Sequence, residues 1–521
     1  MSDASASHVL PAGWARSLVV ITTLMMSLMA AVDLTIVTVA LPYMSGGLGA
    51  TADDITWVVT MYTVAQAVAV GISGHLSRLL GRRRLCLVAV TGFVIASLAC
   101  GLSQNLTQII FCRFTQGLFS GPLIPIAQSI IVDVYPPAER TKGITLWVLG
   151  VMVGPALGPA LGGWLAENLD WRWNFWVNLP VGAIAILLIL RHVRPVPPQP
   201  VKTDWLGLVL VFLFVVGFQI VLDRGDIDDW FGSKQLVLLA ILAAGTGTAF
   251  VLRGWALGSR NIINLTLLRD RNFTLCCILI TIIAMVFLGL LVLTPEVFIT
   301  FFGWEVSTAG LVIGSYGLAG FLGSVIGGQV VRRLGIRTAI VAAGLFMGLG
   351  WWKFSRLDLG ASMFECMLPG MWVQFGVLLI YGPLASQAFK NLRPEQRDEG
   401  AGLFNFLKTL GFSLGVCFVS TLMYRGLQSN WNQYGGTLNF SNPGLRPWLD
   451  TLGFPAVNAP AGALLSQVLQ NQTQMVTFIQ TSELLCALSL ACMFLAFFVP
   501  RDHPAVAQLS APPARPTPNP A

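Results

Sequence analysis

Residues 17–42 read Ser17-Leu-Val-Val-Ile-Thr-Thr-Leu-Met-Met-Ser-Leu-Met-Ala-Ala-Val-Asp33-Leu-Thr35-Ile-Val-Thr-Val-Ala-Leu-Pro42. The run exceeds the ~20 apolar residues that cross a bilayer as a helix. One acid, Asp33, lies well inside it. A carboxylate at mid-helix costs about 2.5–3.5 kcal/mol to insert, so it is expected to face a bundle interior or a wet cavity. Burial disfavours the charged form and a nearby cation favours it, and a group balanced between the two can take up and release a proton.

The rest of the chain repeats this pattern. Of its 521 residues 55% are hydrophobic and 11% charged, against about 25% charged in soluble domains, and mean hydropathy is +0.73. The reading is an all-α polytopic membrane protein with 14 transmembrane helices, near 17–41, 55–73, 85–103, 107–134, 143–166, 175–191, 204–222, 235–255, 273–300, 307–329, 338–355, 365–388, 401–423 and 480–500. Met1 to Ala15 has no charged n-region before a short apolar core, so no removable signal peptide is expected.

The net charge of +7 is distributed by topology, not gathered into a nucleic-acid patch. With the N-terminus in the cytoplasm, 22 of the 31 Lys and Arg fall on cytoplasmic segments and seven on the other side, with Arg113 and Lys408 inside spans. That bias places both termini inside. The nine cysteines form no Cys-x-x-Cys pair and the four histidines are scattered, so neither disulfides nor a metal site is expected.

An internal repeat divides the chain. Gly74-His-Leu-Ser-Arg78-Leu-Leu-Gly81-Arg82-Arg83 follows span 2, and Gly328-Gln-Val-Val-Arg332-Arg-Leu-Gly335 follows span 10. Pro137-x-x-Arg140-x-x-Gly143 precedes span 5, and Pro394-x-x-Arg397-x-x-Gly400 precedes span 13; Gly154 and Gly158 recur as Gly411 and Gly415. The expected organisation is a cytoplasmic N-terminus at 1–16, a six-helix half at 17–195, inserted helices 7–8 at 204–255, and a second six-helix half at 273–500. The second half includes an outer loop at 424–479 with an amphipathic piece near Ala463–Val476. A Pro- and Ala-rich disordered tail, 501–521, follows. Duplicated halves with a midplane site between them are a transporter architecture.

Four features carry the chemistry. The loop at Gly74, Arg78, Gly81, Arg82 and Arg83 supplies tight turns and cations that can pair with helix C-termini and acids of the opposite half. Arg113, in span 4, needs an anion, and Asp33 is the nearest candidate. Span 5 reads Gly150-Val-Met-Val-Gly154-Pro155-Ala-Leu-Gly158-Pro159-Ala-Leu-Gly162-Gly163, a smooth glycine stripe for close packing with two prolines that remove backbone donors. Glu296 is a second proton-site candidate, and Lys408 could pair with it or attract an anionic substrate. Thr35, Tyr62, Gln66, Gln116 and Asn405 are polar candidates for the cavity wall.

These motifs resemble the major facilitator superfamily, its fourteen-span drug:proton antiporter branch, and the EmrB-type multidrug exporters in particular. Asp33-x-Thr35-Ile36-Val37-x-Val39-Ala40-Leu41-Pro42 is similar to the span-1 motif, Gly74 to Arg83 to the loop motif, Arg113-x-x-Gln116-Gly117 to the span-4 motif, and Gly150 to Gly163 to the antiporter motif. Thr38 stands where Asn is usual and Arg78 where Asp is usual. The resemblance implies a major facilitator fold and proton-coupled efflux of amphipathic drugs across a Gram-negative inner membrane, with Asp33 and Arg113 coupling the proton. It also implies an EmrA-like periplasmic membrane-fusion adaptor and a TolC-like outer-membrane channel as partners. No cofactor beyond the proton gradient is expected, and no Gly-x4-Gly-Lys-Ser/Thr loop for ATP is present. The alternative is a dedicated exporter of one metabolite, such as a fatty acid, siderophore or organic acid. An enzyme is not expected.

Overall fold

The computed structural model describes residues 13–136, 139–198, 203–225, 229–436, 445–451 and 459–499. The first half holds α1 (Trp14–Leu48), α2 (Ala52–Ile55), α3 (Trp57–Leu80), α4 (Arg82–Gly101), α5 (Leu106–Ser120), α6 (Leu123–Val134), α7 (Arg140–Asn168), α8 (Trp173–Trp176) and α9 (Asn178–His192). Two helices follow, α10 (Trp205–Arg224) and α11 (Lys234–Leu257). The second half holds α12 (Arg271–Thr300), α13 (Val306–Leu334), α14 (Ile336–Phe354), α15 (Met363–Ala388), α16 (Arg397–Gly435), α17 (Leu445–Thr451) and α18 (Ala459–Ala496). Among the described residues twelve helical segments are long and apolar enough to cross a membrane. Helices α7 and α14 occupy the expected places of spans 5 and 11. The exterior is apolar, as lipid contact requires: Phe111, Leu238, Ile241, Leu252 and Phe494 are all exposed.

The two halves repeat their packing. In the first, α7 lies along α1, and a Cβ at Gly158 or Gly162 would strike Thr35 Oγ1 at 2.0 Å or the Ile36 carbonyl at 2.3 Å. In the second, α16 lies along α12, and a Cβ at Gly411 or Gly415 would strike the Thr281 or Met285 carbonyl at 2.4 or 2.5 Å. The sharp turns after α3 and α13 fall on Gly81 and Gly335, at φ 79° and 84°, a region that L side chains rarely enter. The halves meet where α3 and α6 pack on α16 and where α7 packs on α13 and α15, and α10 lies against both α3 and α16.

Three expectations need correction. Span 1 does not stop at Pro42: α1 carries Pro42 inside it and ends at Gly49, which caps it in the left-handed conformation. Span 4 keeps its expected place as one membrane-length segment, Leu106–Val134, but its helix is broken at Gly121-Pro122, where α3 approaches so closely that a Cβ at Gly121 would lie 2.7 Å from the Val70 nitrogen. The polar stretch 424–479 is largely helix. α16 continues to Gly435 and α18 begins at Ala459, so both run on past the expected span ends at 423 and 480, by about 18 and 30 Å at 1.5 Å per residue. Asn430 ties the two together by donating to Thr477 Oγ1 at 2.9 Å and Gln480 Oε1 at 3.1 Å. The amphipathic piece at Ala463–Val476 is the first part of α18. The tail 501–521 lies outside the described residues, as do residues 1–12.

Candidate functional site

Asp33 is wholly buried, and five helices converge on it. Arg113 of α5 donates from Nη1 to Asp33 Oδ2 at 2.6 Å. Gln116, one turn on, donates to Oδ1 at 2.8 Å, and Asn178 at the start of α9 donates to the same oxygen at 3.0 Å. Ser97 of α4 braces both amides, accepting from Asn178 at 3.1 Å and from Gln116 at 3.2 Å. Arg113 is as buried as its partner. Its Nε donates to the Val58 carbonyl of α3 at 3.2 Å, and its guanidinium stacks 4.0 Å above the Tyr62 ring. All three donors aim at the one carboxylate.

A second chain of polar groups leads away from the cage. The Tyr62 hydroxyl meets Ser120 Oγ at 2.7 Å, and Gln66, which is half-buried, donates to that Oγ at 2.9 Å. Of the cavity candidates, Tyr62 and Gln116 thus belong to the cage and its margin. Thr35 is partly buried and bonds back to Val32 at 3.2 Å.

The arginine loop closes one end of the seam between the halves. Arg82 donates to Asp398 Oδ1 at 2.6 Å on α16 and to Asp133 Oδ2 at 2.8 Å on α6. Arg397 reaches back across the seam to Asp133, and Ser77 and Ser129 both donate to Asp398. Arg78, which stands where an acid is usual, pairs with Glu399 at 2.6 Å, and Glu399 also accepts from Asn264 at 2.7 Å. Arg83 stays within its own half, donating to the Leu190 carbonyl. Gly74 is indispensable to this contact: a Cβ there would lie 2.5 Å from Glu399 Cα. Close by, Asp204 caps α10 and pairs with Arg253 of α11 at 2.8 Å, and that guanidinium holds the Asp204 carboxyl below the usual carboxylate range.

On α7, Gly154 packs on Ala31 and Val32, so its stripe lies directly beside the turn that carries Asp33. Gly150 meets Leu24, and Gly163 reaches Val39 at 3.4 Å. The helix runs unbroken through Pro155 and Pro159. Lys408 and Glu296 are not brought together. Lys408 is buried and donates to Asn405 Oδ1 at 2.8 Å and to the Tyr381 hydroxyl at 3.1 Å. Glu296 is exposed near the end of α12 and makes no ion pair among the described residues. Asn405 in turn donates to Gln128 of the first half.

Several members of these clusters escape a reading of single spans: Ser97, Asn178, Gln128, Asp398 and Glu399. The last two directly follow the repeated Pro-x-x-Arg motif, which is a signal for them. Ser97, Asn178 and Gln128 are ordinary polar residues in helices and give none. Among the described residues no group of three His, Cys, Asp or Glu is placed to hold a metal.

A profile of the Major Facilitator Superfamily matches residues 23–416. The chain is similar to the fatty acid resistance protein FarB of Neisseria gonorrhoeae, at 35% identity over 76% of this chain and 78% of the relative. It is similar to the multidrug export protein EmrB of Escherichia coli, at 32% identity over 87% of this chain and 90% of the relative. In fold it is similar to the human organic anion transporter MFSD10 (TETRAN), with a TM-score of 0.59 at 14% identity, covering 92% of this chain and 99% of that one.

Proposed function

The chain belongs to the Major Facilitator Superfamily, and on that premise we propose that it exports amphipathic drugs or toxic organic compounds across a bacterial inner membrane in exchange for protons. The observation that carries the reading is the buried Asp33–Arg113 pair inside a bundle of apolar helices. A paired, fully dehydrated carboxylate is costly to maintain, and such groups in membrane helices serve ion or proton pathways. The export names of the EmrB relatives support the direction of transport.

The proposed cycle uses the groups in place. In this conformation the Arg82 end is latched by Asp398, Asp133 and Glu399, and the Asp33 carboxyl accepts from three donors. A proton arriving through the Gln66, Ser120 and Tyr62 chain would neutralise Asp33 and free Arg113. The glycine face of α7 packs on the same turn of α1, so loosening the cage alters the helix that touches the second half. Release of the proton on the cytoplasmic side then resets the pair. The positive-inside bias supports the Arg82 end being cytoplasmic. The projecting ends of α16 and α18 would then face the periplasm, where an EmrA-like adaptor leading to a TolC-like channel would dock.

The test is drug accumulation in cells with and without the gene, before and after the proton gradient is dissipated. Gene-dependent exclusion that vanishes with the gradient supports the reading. Exclusion that survives dissipation would refute coupling.

A further inference from the structure

Lys408 is a cation in the interior of the bundle with no counter-ion among the described residues. It lies 11 residues beyond Arg397 on α16, about 17 Å along the axis, or roughly half the ~30 Å hydrocarbon thickness. Its side chain is 7% exposed. Among the described residues it forms no ion pair; its neighbours are neutral, the Asn405 amide oxygen at 2.8 Å and the Tyr381 hydroxyl at 3.1 Å, with the rings of Tyr381 and Phe412 each 5.7 Å from Nζ. Burying a charge without a partner is strongly unfavourable, in contrast to the compensated pair at Asp33. A second polar group beside it is also unspent: Gln128 Nε2 is buried and has no hydrogen-bond partner, while its Oε1 accepts from Asn405 across the seam between the halves.

We propose that Lys408, Tyr381 and Gln128 form the head-group site for an amphipathic organic anion, which reaches it when the halves part at the Arg82 end. The inference rests on the export reading and names its substrate class. Parting the halves breaks the Asn405–Gln128 contact, because Gln128 is on α6 and Asn405 on α16. That step uncovers a lysine ammonium, a phenol O–H and an amide N–H together. All three are donors, and the set suits a carboxylate, sulfonate or phosphate better than a cation or a neutral head. Apolar aromatic surface adjoins them, since Phe412 stacks on Phe287 with ring centroids 5.9 Å apart. In this conformation the same donors are covered, and the ammonium donates to the Asn405 amide oxygen.

The test uses two flat, permanently charged probes of matched size, naphthalene-2-sulfonate and 1-methylquinolinium, with the full-length protein in proteoliposomes. Transport of each is measured for wild type, Lys408→Gln, Lys408→Arg and Gln128→Glu, after gel filtration shows a monodisperse peak for each variant. The readout is the ratio of sulfonate to quinolinium transport. The proposal expects Lys408→Gln to lower that ratio tenfold or more and Lys408→Arg to restore most of it. Gln128→Glu, which places a carboxylate one amide from the ammonium, should lower it as an internal competitor. An unchanged ratio in Lys408→Gln, with wild-type transport intact, overturns the anion site and leaves the export reading standing. Wild-type protein that moves neither probe nor any drug of a susceptibility panel overturns the export reading, and this inference with it.

Discussion

Arg113 and Asp33 are 80 residues apart, meet at 2.6 Å, and are both completely shielded from solvent. Such a pair has separable structural and functional contributions. Removing one partner leaves a buried charge and costs roughly 3–5 kcal/mol, whereas replacing both by apolar groups of similar volume is often neutral. Arg113→Met is therefore expected to lower the thermal midpoint of the purified protein sharply. Asp33→Leu combined with Arg113→Met is expected to regain most of that loss while remaining unable to transport. A scan of both variants alongside wild type checks this, and a double variant no more stable than the single one would show that the pair does not behave as a unit.

The latch should be separable from the cage. Arg82 crosses the seam to Asp398, and a hydrogen bond to a charged group is worth about 1.5–3 kcal/mol. Arg82→Ala should move the conformational equilibrium roughly ten- to a hundredfold toward separation at that end. Spin labels on the exposed positions Leu79 and Glu395 would report a longer distance in Arg82→Ala and in Asp398→Asn. Identical distance distributions in wild type and both variants would mean the contact does not hold the halves closed.

Gly154 and Gly158 allow α7 to lie against the turn of α1 that bears Asp33. A leucine at either position has no room, because Gly154 faces Ala31 and Val32, and Gly158 faces Thr35. Overpacking of this kind costs typically 1–3 kcal/mol, so Gly154→Leu and Gly158→Leu are expected to insert but lose most transport. Quantitative blotting of membranes beside efflux measurements separates the two effects. Normal efflux from both variants would remove the stripe from the moving surface.

Ser429 is exposed on the part of α16 that runs beyond the expected span, whereas its neighbour Asn430 is buried against α18. A cysteine at Ser429 should react with a membrane-impermeant maleimide from the periplasm, and one at Leu79 should not. The reverse pattern would invert the topology.

The sequence made the coarse architecture legible because membrane spans obey a length rule and because the Gly81/Gly335 and Gly154/Gly411 repeats demand the same backbone in both halves. Asp33 and Arg113 stood out for a related reason, since a charge in an apolar run has few explanations. Asn178 and Ser97 did not stand out, because nothing in a local window says that the Asn178 amide points at a carboxylate 145 residues away or that the Ser97 hydroxyl braces that amide. The helical ends of α16 and α18 were hidden by their composition. Asn, Gln and Gly there read as loop, whereas the two helices pack side by side, with Asn430 bonded to Thr477 and Gln480. Lys408 was visible as an intramembrane charge, but its contacts with the neutral Asn405 and Tyr381 were not. Glu296 shares its half of the chain, and only the fold sets it apart, exposed near the end of α12 while Lys408 is buried on α16.

The central claim is that Asp33 carries the coupled proton. Asparagine has nearly the same size and polarity and cannot ionise. The most direct measurement is substrate efflux in inverted membrane vesicles under an imposed pH gradient, with wild type, Asp33→Asn and Asp33→Glu compared across a pH series. The account predicts no gradient-driven efflux from Asp33→Asn at any pH despite normal insertion, and partial efflux from Asp33→Glu. Gradient-driven efflux at the wild-type rate from Asp33→Asn would contradict it.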